Sequence, residues 1–394
     1  ANQGNMVEGN AILVNDGDNA AKITDNTFMD CYIDNQLSYA VTFNGSTLYF
    51  ANNVFDFSKD KGCGCLRVYC FGNIIIHHNT FRNVVTSASL GGAMQYVETV
   101  RRSTTNNQGV SIRFNIFEHC SSTQTACFRF KWISDDYQFL DNTFQNNNLK
   151  NYLGEFDFMG KKINGNFQCG GNRFINNTAK SAYGGGTGLW FQNKPAPLEY
   201  LLENHFTVVI EDCEFNGNHA VHNMGSTQIA NYENGHGGAI QLGFTESMSN
   251  IDVVFRNTTF INNIADREGG AISLQVIGYV LIDNCTFDGN RGGQNPDGNQ
   301  YEFGGAVYFL PDFNNAKGHY SEENNGEWIY SENMTLLNSK FVNNQARDAT
   351  AVYVSTSDHT KFIVNRIYFS MKIFFYEITM KINWKNVPIN IRFF

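Results

Sequence analysis

Two short segments carry residue types suited to acid–base chemistry. Asp135-Asp136 is a carboxylate pair, and Gly235-His236-Gly237 sets an imidazole between two glycines. Paired carboxylates can divide the acid and base roles of glycoside hydrolysis. The Asn-x-Asp partner that would complete such a set is missing, and about 100 residues separate the aspartates from the histidine. Gly237 also belongs to a repeated glycine corner, so His236 reads first as the residue before a turn. No coil-length segment joins an acidic cluster to an Arg or Lys, the combination a calcium-assisted lyase would need.

Nine cysteines stand at 31, 63, 65, 70, 120, 127, 169, 213 and 285. They do not form the paired CxxC sets of a zinc site. Several occupy equivalent repeat slots, which favours small buried side chains. For Cys63, Cys65 and Cys70 a disulfide or metal clip stays open as the alternative. Asn-x-Ser/Thr sequons occur at Asn44, Asn176, Asn257, Asn284 and Asn333, and they matter only in a eukaryotic secreted protein. Asn333, in a long insertion, is the leading glycan candidate.

The elements that position these residues are set by a repeat. A Phe recurs at 28, 55, 81, 117, 144, 174, 215, 260, 287 and 341, with a small polar residue or Cys two before it in most units. Three residues after the Phe comes Asn147, Asn177, Asn218, Asn263, Asn290 or Asn344, and Cys31 and Cys120 fill the same slot. A glycine pair follows, as in Gly91-Gly92-Ala93-Met94, Gly237-Gly238-Ala239-Ile240, Gly269-Gly270-Ala271-Ile272 and Gly304-Gly305-Ala306-Val307.

The cleanest unit runs from Phe260 to Phe287 and holds three short β-branched or alternating runs bounded by turn residues. No window shows a helical apolar stripe. The expected fold is all-β: a right-handed parallel β-helix, or solenoid, of about ten coils with three short strands each. Equivalent side chains then lie about 4.8 Å apart, giving a Phe column. Stacked Asn residues would form a ladder and tolerate left-handed corners.

Composition agrees. The chain has 394 residues, five of them Pro, and 16% charged residues against roughly 25% in an average soluble protein. The net charge of −9 disfavours a nucleic-acid partner. No run of about 18 apolar residues predicts a membrane-spanning helix. The chain starts at Ala1 without a leader pattern, so it reads as a processed form or fragment.

The pairing of Phe260-Ile261-Asn262-Asn263 with Gly269-Gly270-Ala271-Ile272, and of Phe287-Asp288-Gly289-Asn290 with Gly304-Gly305-Ala306-Val307, resembles the polymorphic outer membrane protein repeat. The resemblance covers roughly residues 20 to 355. It departs from the motif at Phe28-Met29-Asp30-Cys31 and Phe117-Glu118-His119-Cys120. It implies a surface-exposed or secreted β-helical passenger associated with adhesion, within a pectin-lyase-like superfamily. The bacterial members carry a C-terminal membrane barrel for which this chain has no room. Asp135-Asp136 and His236 are in turn similar to motifs of the polygalacturonase group.

Spacing between Phe residues is uneven, and the excess falls at two sites per coil. One holds 95–109, 192–205, 243–250 and 310–333; the other holds 219–234 and 291–303. Insertions at equivalent solenoid positions project from one side, so one elaborated flank is expected. Its binding candidates are Tyr200, Tyr301, Asp312, Tyr320, Trp328 and Tyr330. The helix is expected over 1–365. Residues 366–394, where Ile378, Met380, Ile382 and Trp384 alternate with polar residues, are expected to form a strand cap or a truncated segment.

These features predict an extracellular or cell-surface protein with an adhesin-like binding or structural role and no catalysis. Its partner would be a host-cell or matrix glycan or protein, and no cofactor or metal is implied. The alternative is a polysaccharide lyase or glycoside hydrolase of the pectin-lyase-like class.

Overall fold

The computed structural model describes residues 12–15, 20–31, 39–57, 63–70, 72–86, 92–98, 109–122, 125–131, 137–149, 152–158, 165–181, 189–193, 206–222, 235–242, 248–249, 251–274, 276–277, 279–293, 303–309, 332–347, 349–354 and 360–370. Those residues form a right-handed parallel β-helix. Three sheets of 11 strands run its length, and every pairing in them is parallel. The first sheet runs from Ile12–Asn15 to Val352–Val354, the second from Ala20–Thr24 to Thr360–Asn365, and the third from Thr27–Met29 to Tyr368–Ser370.

There are thus eleven coils rather than about ten. The eleventh passes residue 365, because Tyr368–Ser370 pairs with Lys340–Val342. Three strands per coil also understates the middle of the stack. A fourth sheet of six two- to four-residue strands runs from Val85–Thr86 to Ile264–Ala265, and single bridges extend it to Arg291 and Gln345. The alternating segment expected at 378–384 lies outside the described residues.

Strands alternate inward and outward side chains, as a two-residue period requires. Inward positions stack one coil above the next. The third sheet stacks Phe28, 55, 81, 117, 144, 174, 215, 260, 287, 341 and 369, with neighbouring centroids 4.5–5.5 Å apart. From Phe28 to Phe341 these rings are tilted by at most 8° from one another. The coil spacing imposes this face-to-face arrangement.

Nine strands of the third sheet lie between two one-residue corners with positive φ. Asn257 (φ 49) and Asn262 (φ 52) frame Phe260, and Asn284 and Gly289 frame Phe287. The residue after a corner turns inward in most coils, and where it is Asn it forms a ladder. Asn263 therefore does not itself adopt the left-handed turn, as expected from the sequence; Asn262 does, and Asn263 bonds. The division is physical: a left-handed residue reverses the chain outward, so its successor is the one aimed at the interior.

Two ladders result. Asn26, 53, 79, 115, 142 and 172 form the first, each Nδ2 and backbone N–H before Asn172 donating to the next Oδ1 at 2.8–3.1 Å. Asn147, 177, 218, 263, 290 and 344 form the second. Nearly all are fully buried. Cys31, Val84, Cys120, Cys213, Thr258, Cys285, Ser339 and Ile367 occupy the remaining described slots in these columns, and Cys120, Cys213, Thr258, Cys285 and Ser339 also bond to backbone carbonyls.

At the glycine corner the two glycines have separate causes. Gly237, Gly269 and Gly304 have φ of 61–69°, where a side chain is disfavoured. Gly238, Gly270 and Gly305 each lie against a backbone carbonyl of the next coil, leaving no space for a Cβ.

Candidate functional site on the outer face of the first sheet

The outward positions of the second and third sheets are mostly half-buried or exposed, as in Tyr49, Ser111, Thr207 and Asp252. The first sheet differs. One column runs in backbone register through Thr42, Arg67, Gln95, Arg129, Glu155, Trp190, Gln241, Ser273, Tyr308 and Tyr353. Polar members of it are covered: Gln95 and Gln241 are each 2% exposed, Ser273 4% and Thr42 8%. Both sites of sequence insertion border this sheet.

Arg67 is the central cation of the stripe. Its guanidinium carbon lies 4.6 Å from the Tyr69 ring centroid and 5.5 Å from that of Tyr39. The Tyr39 hydroxyl donates to Gln95 Oε1 at 2.8 Å. Burial pushes the Tyr39 hydroxyl well above its ordinary value, against the pull of Arg67 and Arg129, so it stays a neutral donor. Gly64 has no room for a Cβ because the Tyr39 ring lies over it. The ring is thereby fixed beside Arg67.

Among the described residues, Arg67 Nε and Gln241 Oε1 of the stripe are buried without a hydrogen-bond partner. Buried polar atoms are normally paired, so both stand out. They stand five coils apart, about 24 Å at the spacing of parallel strands. At the far end, Tyr308 and Tyr353 stack 5.4 Å apart, and Phe303 lies 4.5 Å from Tyr353.

The glycine corner beside this sheet holds two histidine–carboxylate pairs. His236 Nδ1 meets Glu268 Oε2 at 2.5 Å, and His219 Nε2 meets Asp266 Oδ1 at 2.9 Å. Asp266 Oδ2 also accepts the His222 backbone N–H at 2.7 Å. His236 and Glu268 occupy the same slot, before the first glycine, in successive coils. His236 is thus a buried corner residue whose partner is Glu268. The pairs tie the base of the 223–234 insertion to the next coil, a link hidden in the sequence because 32 residues separate His236 from Glu268.

The other expected residues lie elsewhere. Tyr200, Tyr301, Asp312, Tyr320, Trp328, Tyr330 and the Asp135-Asp136 pair lie outside the described residues. Asn333 falls in the strand Glu332–Leu337, opposite Tyr279 and Lys361, rather than in the insertion before it. Among the sequons, Asn176, Asn257 and Asn284 are exposed left-handed corner residues. All nine cysteines are free thiols. Among the described residues no group of three or more His, Cys, Asp or Glu could hold a metal ion. No described helix is long and apolar enough to cross a membrane.

The fold and stripe define a parallel β-helical repeat protein. No family model, curated protein or solved structure matches the chain.

Proposed function

We propose that the chain is a surface-exposed or secreted β-helical binding protein of the adhesin type, acting without catalysis. We place it with the polymorphic outer membrane protein repeats, in the pectin-lyase-like class, on the strength of the Phe-x-x-Asn and Gly-Gly-Ala motifs. The observation that carries the binding role is the pair of orphaned buried atoms, Arg67 Nε and Gln241 Oε1, on one stripe. Their separation suits an extended ligand rather than a small molecule. A cation against two tyrosine rings beside the Gln95 amide suits a host-cell or matrix glycan, or an extended protein segment.

The test is a glycan and host-cell binding screen of the purified chain, run beside a polysaccharide-cleavage assay. Binding that weakens in Arg67→Gln and Gln241→Leu, with no turnover, supports the proposal. Turnover lost on changing Asp135 or His236 overturns it in favour of a lyase or hydrolase.

A further inference from the structure

A second surface lies away from the stripe, on the corner between the second and third sheets. In most coils the left-handed residue of this corner is Asp, Asn or Gly, as in Asp25, Asn52, Asp141, Gly171, Asp212, Asn257, Asn284 and Asn338. Two adjacent coils depart from this, as does Arg366 in the last. His78 (φ 55) and Phe114 (φ 55) occupy the slot there. A bulky residue at positive φ is strained. Phe114 is also 47% exposed, and Ile116 beside it 39%. Asn or Gly would serve the turn better. Strain held together with an exposed ring points to an external role.

The surroundings give the role its chemistry. The His78 and Phe114 rings stack with centroids 4.9 Å apart. His77 Nδ1 lies 2.7 Å from His78 Nδ1, and His77 meets the edge of Tyr49 at 5.1 Å. Lys22 lies 5.5 Å over Tyr49. Among the described residues, Arg113, the neighbour of Phe114, bonds only to the neutral Ser111 Oγ and Gln138 Oε1. Among them, neither Lys22 nor Arg113 meets a carboxylate, in a chain of net charge −9. The corner carboxylates Asp25 and Asp141 bound the strip at its two ends.

We propose that this strip, Tyr49, His77, His78, Phe114 and Arg113 with Lys22, binds a sulfated glycan lying along the helix axis. The apolar face of a sugar ring would rest on Phe114 and His78. Arg113 and the two imidazoles offer several N–H donors in one arc, which suits the three terminal oxygens of a sulfate ester; a planar carboxylate is satisfied by the arginine alone. The coil spacing is of the same order as the rise per sugar, so successive coils meet successive residues. The site does not depend on the first-sheet stripe, and its variants are different, so either can fail alone.

The probe is a heparin-derived hexasaccharide, titrated calorimetrically into the full chain. Its desulfated form, a uronate oligomer and an acidic peptide serve as comparison arms. Phe114→Asn installs the residue that neighbouring corners use, so its melting temperature stays equal or rises. The expected result is about ten-fold weaker binding of the sulfated probe by Phe114→Asn and by Arg113→Gln, with Arg67→Gln unchanged. Unaltered affinity in Phe114→Asn overturns the proposal. So does equal binding of the desulfated probe, preferential binding of the uronate oligomer or acidic peptide, or a dimer of the chain that Phe114→Asn dissolves.

Discussion

Asn263 Nδ2 donates to Asn290 Oδ1 at 3.0 Å, linking two residues 27 apart in sequence and one coil apart in space. The same oxygen accepts the Asn263 backbone N–H at 3.0 Å. Asn263 Nδ2 also reaches Phe215 O, and Asn263 Oδ1 accepts both N–H groups of Asn218. Replacing Asn263 by Leu strands buried donors on Asn218 and the carbonyl of Phe215. The expected loss is about 3 kcal/mol, read from urea unfolding. Asn263→Ser should lose less, because Ser339 already fills a ladder slot with a hydroxyl. Equal losses in the two variants would speak against the hydrogen-bond account.

Ala349 occupies the first-glycine slot of its corner: Gly305 N–H donates to Ala349 O, just as Gly270 N–H donates to Gly304 O in the coil before. Its φ is 55°, where alanine is strained. Ala349→Gly should stabilise the C-terminal coils by up to about 1 kcal/mol. Hydrogen exchange at Val352–Val354 is the local readout, and faster exchange there would contradict the expectation.

The thiols should be chemically quiet. Burial pushes Cys63 and Cys285 up to about 12 and holds Cys65, Cys127 and Cys169 well above the ordinary 9.0. At pH 8 almost no thiolate forms at these positions, so the native protein should take up iodoacetamide slowly. The half-buried Cys31 should react first. In denaturant without reductant all nine should label, by intact mass. Fewer than nine would reveal a disulfide.

His77 sets one pH dependence. Its imidazole is held below the ordinary 6.5, first by burial, then by His78 and Arg113. The folded state then binds fewer protons than the unfolded chain once the pH falls below about 6.5. Stability therefore decreases with falling pH from there down to the folded value. His77→Gln should flatten the melting temperature between pH 7 and 5.5 relative to the parent. Parallel curves would remove His77 as the cause.

The sequence made the Phe column and glycine corners legible because each keeps one residue type in a fixed slot. Phe260 and Phe287 are recognisable on sight. The left-handed corners were hidden, since Asp, Asn, His, Phe, Gly and Arg all occur there. Only the backbone singles out Phe114 among so many phenylalanines. The buried stripe was hidden for another reason. Arg67, Gln95 and Gln241 look like ordinary outward strand residues, and their register crosses insertions of unequal length. His236 and Glu268 are separated in the same way.

In nine coils the two left-handed corners are five residues apart, from Asp25 and Asp30 to Asn338 and Asn343. The stretch from the second corner to the next coil's first corner varies from 22 residues, Asn262 to Asn284, to 49, Gly289 to Asn338. A gene encoding this protein can therefore lengthen by copying whole turns. A duplication that begins and ends at equivalent corners keeps both amide columns in phase, wherever its extra length falls. A one-codon insertion inside the five-residue interval throws Phe and Asn to opposite faces. Heritable change in such a chain is then quantised in turns along the axis and continuous only on the variable flank.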